Sequence, residues 1–77
     1  MSASHAIDQE LLDFGRAIRT IRRDLGMSQA KLARATGLHR NYIGGVERGE
    51  RNISLKNILR LARALRVPPA ELFVPTP

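Results

Sequence analysis

Apolar positions along this chain repeat at steps of three and four. Leu11, Phe14, Ile18, Ile21 and Leu25 line up as one stripe over about four turns, which predicts a first helix from Ile7 to Leu25. Its charges are polarised. Asp8, Glu10 and Asp13 lie near the start and Arg16, Arg19, Arg22 and Arg23 towards the end, as the helix dipole favours. That reading explains the three acids better than a catalytic cluster does. Gly26 stands where a left-handed residue closes a helix, and Ser28 reads as the next N-cap, with Met27 placed to pack on Leu32. Ala30, Leu32 and Ala33 carry a short second helix to Thr36, ended by Gly37. Leu38, Tyr42, Ile43 and Val46 continue at helical spacing up to Gly49, and Glu50 to Ile53 is a charged loop. Ser54 caps a fourth helix whose Leu55, Ile58, Leu59, Leu61, Ala62 and Leu65 form a broad stripe. Val67, Pro68 and Pro69 break it, and Pro69 opens a final turn through Ala70 to Phe73.

No alternation at period two persists beyond a few residues, so the expected fold class is all-α, a compact five-helix domain without a sheet. Met1 to Ala6 reads as a flexible arm, residues 7–74 as one folded domain, and Pro75 to Pro77 as a short tail. Seventy-seven residues leave little room for more. The absence of cysteine excludes thiolate metal sites and cysteine nucleophiles and fits a reducing, cytoplasmic setting. The first five residues lack the basic and apolar regions of a secretory signal, and no apolar run approaches the roughly 18 residues of a membrane span. Two histidines, His5 and His39, have no partnering cysteine or carboxylates to hold a metal, and no Gly-rich loop follows a strand. No catalytic residues, no cofactor and no enzyme are expected.

Charge points to a partner. Thirteen Lys and Arg face seven Asp and Glu, for a net charge of +6, and eleven of the cations are arginine, whose planar fork suits phosphate and guanine. The spacing at the middle of the chain is more specific. Counting Gln29 as first, Ala33 is fifth, Gly37 ninth, Leu38 tenth, Ile43 fifteenth and Val46 eighteenth. Two short helices crossing at a small residue, turned by a glycine and buried through Leu38, Ile43 and Val46, describe a helix-turn-helix. The second helix then presents its N-terminal end and outer face to the major groove of DNA.

These residues give the chain a resemblance to the lambda-repressor-like, or Xre-type, DNA-binding family. It covers nearly everything from Phe14 to Phe73 and rests on Ile18-Arg19 with Ile21-Arg22, Gly26 to Gln29, Leu32-Ala33 with Thr36 to Leu38, and Tyr42-Ile43 with Val46 to Gly49. Within the family, His39 to Ile43 and Arg48 to Leu55 look most like the controller proteins of restriction–modification systems. The resemblance implies that Ser28 and Gln29 meet a backbone phosphate at the start of the first motif helix. It implies that Arg40, Asn41 and Tyr42 touch bases and nearby phosphates, with His39 as cap or phosphate neighbour. Arg48 joins that surface, and Arg51 and Asn52 form a second phosphate clamp. Arg22 and Glu47 match a partly buried ion pair tying the first helix to the recognition helix. The chain departs from the family pattern at His39, where Ser or Asp is usual, and at Gly44 and Gly45, which lack side chains to read a base and are expected to allow close backbone approach. Arg16, Arg19, Arg23, Arg60, Arg63 and Arg66 read as a solvated cationic face.

One such motif covers about four or five base pairs, so a homodimer on a palindromic operator is expected, with half-sites about 34 Å or its multiples apart. Leu65, Val67, Leu72, Phe73 and Val74 are the candidate pairing surface. No small-molecule effector is expected. An antitoxin of the same fold, bound to a toxin protein and repressing its own operon, is the alternative. A membrane-binding amphipathic protein is disfavoured because the apolar stripes point inward.

Overall fold

Asp8 begins the first helix by turning its carboxylate onto the backbone, where Oδ1 accepts from the amides of Glu10 (3.1 Å) and Leu11 (3.3 Å). Helix α1 therefore spans Gln9–Asp24. The computed structural model describes residues 8–73, so the predicted arm, the tail and Val74 lie outside the described residues. Helices α2 (Gln29–Thr36), α3 (Arg40–Glu47) and α4 (Leu55–Leu65) follow. Ser28 Oγ accepts from the Lys31 amide at 3.0 Å and Ser54 Oγ from the Asn57 amide at 3.2 Å, each satisfying one orphan donor of a helix start. Gly37 closes α2 at φ 73°, ψ 14°, a conformation open to glycine at no steric cost.

The described residues hold four α-helices, not five, and no strand. The last element, Pro69–Phe73, is a 3-10 helix. Pro68 and Pro69 supply no backbone donors, and the short run that follows closes with a three-residue step from the Glu71 amide to the Pro68 carbonyl at 3.0 Å. Helix α3 ends at Glu47, two residues before the expected Gly49.

Helix α3 lies between α1 and α2, while α4 packs on α2 and the 3-10 helix closes over α1 and α4. Ile18, Leu32, Ile43, Leu61, Leu65 and Leu72 are fully buried where these elements meet. The crossing of α1 over α3 depends on Gly15. A Cβ there would fall on the carbonyl oxygens of Val46 and Glu47.

Two members of the expected stripes are exposed. Leu25 is 49% exposed, because it caps the end of α1 instead of lying within its last turn. Leu55 is 71% exposed, because the buried part of α4 is Leu61, Ala62 and Leu65, and it lies before them on the helix. Conversely, Leu65 and Leu72 fill the monomer's own core at 1% and 0% exposure, which removes both from the candidate pairing surface. Among the described residues no helix is long and apolar enough to cross a membrane.

Candidate nucleic-acid interface

The orientation of α3 is set from behind. Arg22 of α1 and Glu47 at the end of α3 are 7% and 8% exposed and face each other across the helix crossing. Arg22 Nε donates to Glu47 Oε2 at 2.6 Å and Nη2 to Oε1 at 3.0 Å. The third guanidinium nitrogen, Nη1, donates to the Met27 carbonyl at 2.8 Å, so Arg22 also braces the turn before α2. The bond to Glu47 raises the Arg22 pKa above its already high ordinary value. Glu47 Oε1 accepts a further bond from Gln29 Nε2 at 3.0 Å. One carboxylate thus fixes α1, the first turn of α2 and α3 together, and holds the Gln29 amide in one rotamer.

The start of α3 faces solvent. His39 is its N-cap, with Nδ1 accepting from the Asn41 amide at 3.1 Å. Arg40 and Asn41 are exposed. Tyr42 is half-buried against the core, and its hydroxyl accepts from Asn57 Nδ2 of α4 at 3.2 Å. The Arg51 guanidinium lies 5.9 Å from the centre of the Tyr42 ring, within range of a cation–π contact. Asn52 is exposed beside it.

Gly44 and Gly45 each leave room for a neighbouring side chain. Both are buried, each beneath an arginine arriving from the chain beyond α3. A Cβ on Gly44 would come within 3.0 Å of Arg48 Nη1, and one on Gly45 within 3.1 Å of Arg51 Cγ and Nε. The missing side chains make seats for two guanidinium groups, and those groups form the outer surface of α3. Arg48 is held there by Glu50, with Nε and Nη2 each donating at 3.1 Å to one carboxylate oxygen. The Arg48 guanidinium beside it draws the Glu50 carboxyl below its ordinary value.

Gln29, Arg40, Asn41, Gly44 and Arg48 surround one hollow of about 220 Å³. Arginine, amide and helix-start N–H groups meet here, a donor set suited to an anion and to the acceptor edges of bases. Among the described residues no group of three or more His, Asp or Glu side chains gathers where it would hold a metal ion. Glu50, Asn57 and the arginines Arg19 and Arg23 beside Arg22 are neighbours of this surface that the motif alone did not single out. The helical spacing of Arg19, Arg22 and Arg23 was the available signal.

Apolar surface remains elsewhere. Phe73 is 59% exposed although its ring leans on Phe14, 5.3 Å between centroids at 43°. It borders a hollow of about 270 Å³ with Leu11, Ile53 and Ile58, and Leu55 lies one turn before Ile58 on α4. Val67 is half-buried against the core.

Residues 18–72 match the Helix-turn-helix family. Control protein C.BamHI of Bacillus amyloliquefaciens is 50% identical over 61 residues, which span 78% of this chain and 75% of that one. The solved structure of the restriction–modification controller protein C.AhdI from Aeromonas hydrophila is similar with a TM-score of 0.84 and 53% identity, covering 86% of this chain and 100% of that one. The controller C.Esp1396I, solved as a tetramer in complex with its natural 35 base-pair operator, is similar with a TM-score of 0.78 and 33% identity over 86% of this chain and 87% of its own.

Proposed function

Because this chain belongs to the helix-turn-helix family, we propose that it is a sequence-specific DNA-binding transcriptional regulator, acting as a homodimer on a palindromic operator in the manner of a restriction–modification controller. The observation that carries this reading is the convergence of Gln29, Arg40, Asn41 and Arg48 on one exposed hollow at the start of α3. The reading is supported by the similarity to C.AhdI along its whole length and to C.Esp1396I, which holds its operator DNA as a tetramer.

The side chains divide into positioning and reading roles. Gln29 and the amide groups after Ser28 hold a phosphate at the start of α2. Arg40 reads guanine O6 and N7, and Asn41 reads adenine or a phosphate. Arg51 and Asn52 clamp a second phosphate, and Tyr42 directs its hydroxyl proton outward because Asn57 already donates to its oxygen. Gly44 and Gly45 act through the arginines that cover them.

Pairing of two copies centres on Leu55, Ile58 and Phe73, with Val67 at its edge, because Leu65 and Leu72 are consumed by the core. The regulator is not an enzyme and uses no small-molecule effector. Its output follows from its own concentration through dimerisation and operator occupancy.

The test is selection of binding duplexes from a random library, followed by anisotropy titration of the winner across a salt series. A palindromic winner whose advantage over random DNA disappears in Arg40→Ala supports the reading. Weak, unselective binding that vanishes at moderate salt is the signature of phosphate neutralisation alone and rejects it.

A further inference from the structure

Arg19 and Arg23 stand one helical turn apart on α1, flanking Arg22. Arg22 turns inward to Glu47, whereas Arg19 and Arg23 stay exposed. With Arg48 from the end of α3 they ring a hollow of about 330 Å³ between α1 and the recognition helix. Four guanidinium groups meet a single carboxylate there. That carboxylate is spent, since both Glu47 oxygens accept from Arg22 and one also from Gln29. Among the described residues neither Arg19 nor Arg23 is paired with an acid. Glu50 occupies Nε and Nη2 of Arg48, leaving Nη1 directed over Gly44. Gln29, Gly44 and Arg48 line this hollow as well as the one at Arg40 and Asn41, so the two are neighbours with Arg48 between them.

We propose that this second hollow seats a phosphate of the DNA backbone, with Arg19 and Arg23 carrying the contact along α1 beyond the recognition helix. The inference rests on the DNA-binding reading above. Its chemistry is that of guanidinium forks, whose paired N–H groups match phosphate oxygens, arranged over a floor whose own charges cancel. A merely solvated cationic face has no such shared focus. The contact carries no sequence information, because every nucleotide offers the same phosphate.

The experiment measures binding to a duplex selected from a random library and to a scrambled duplex of equal length, each over a salt series. Arg19→Gln, Arg23→Gln and the double variant are compared with Arg63→Gln, the same charge change on α4, after thermal melting shows that all are folded. The slope of log K against log salt is expected to shrink by about 1 for each of Arg19 and Arg23, with both duplexes weakened alike and their ratio unchanged. Arg63→Gln is expected to keep the parental slope. A double variant indistinguishable from Arg63→Gln overturns the proposal, and so does a loss confined to the selected duplex, which would mean base reading. If the parent protein prefers neither duplex and Arg40→Ala changes nothing, the DNA-binding reading fails and the phosphate seat with it.

Discussion

Glu47 accepts from Arg22 at 2.6 Å and 3.0 Å through both of its oxygens, so one buried carboxylate sets the angle between α1 and the recognition helix. Arg22→Met strands that carboxylate with Gln29 as its remaining partner. A loss of about 3–5 kcal/mol is expected in urea unfolding, the usual cost of an uncompensated buried charge. Replacing both residues, Arg22→Met with Glu47→Leu, is expected to recover most of that stability. It does not restore DNA affinity, because Gln29 no longer has an anchor.

Gly15→Ala tests the helix crossing. Alanine is the better helix former by about 1 kcal/mol, yet its methyl group collides with the carbonyl oxygens of Val46 and Glu47, which belong to backbone and cannot swing away. Overpacking of about 1–3 kcal/mol outweighs the propensity gain. The melting temperature is expected to fall by several degrees, and a rise would show that α1 can slide on α3 without cost.

Gly45→Ala behaves oppositely. The atoms nearest its Cβ belong to the side chain of Arg51, with Cγ and Nε at 3.1 Å, and that chain can move. The variant is expected to be as stable as the parent or more so, by up to about 1 kcal/mol. Binding to the selected duplex is expected to weaken, because Arg51 leaves its place over Tyr42. Unfolding curves and anisotropy on the same preparation separate the two effects.

Arg48 lowers the Glu50 carboxyl pKa, chiefly through its hydrogen bond. A depressed acid contributes above its unfolded value and loses that contribution as pH falls through the folded one. The pair therefore stays closed across neutral pH and opens only in acid. A carbon-detected titration should place the Glu50 midpoint below the ordinary value of about 4.3. In Arg48→Gln the midpoint should return towards it.

The helices were legible because their ends are written locally. Ser28, Gly37 and Ser54 cap where spacing placed them, and the six offsets from Gln29 to Val46 name the motif. What covers a stripe is not local. Leu25 and Leu55 lie on apolar faces that continue past the last packed neighbour, and periodicity records the face but not its cover. What covers Gly44 and Gly45 was hidden for a related reason. Arg48 folds back four residues to Gly44 and Arg51 six residues to Gly45, and side-chain direction leaves no trace in spacing. His39, by contrast, caps α3 where its position predicted, through a ring nitrogen. Gly15 carries no signal either, since its reason is a backbone two helices away.

The bond from Asn57 to Tyr42 has a mechanical meaning for a dimer built on α4. It ties the pairing helix to the reading helix within each copy, while Arg22 and Glu47 tie the reading helix to α1. Each subunit then behaves as the rigid arm of a calliper whose opening is fixed at the pairing surface. Such a gauge tolerates substitutions between half-sites far better than a change in their separation. One inserted base pair turns the far half-site by about 34° and shifts it by about 3.4 Å, out of the arm's reach.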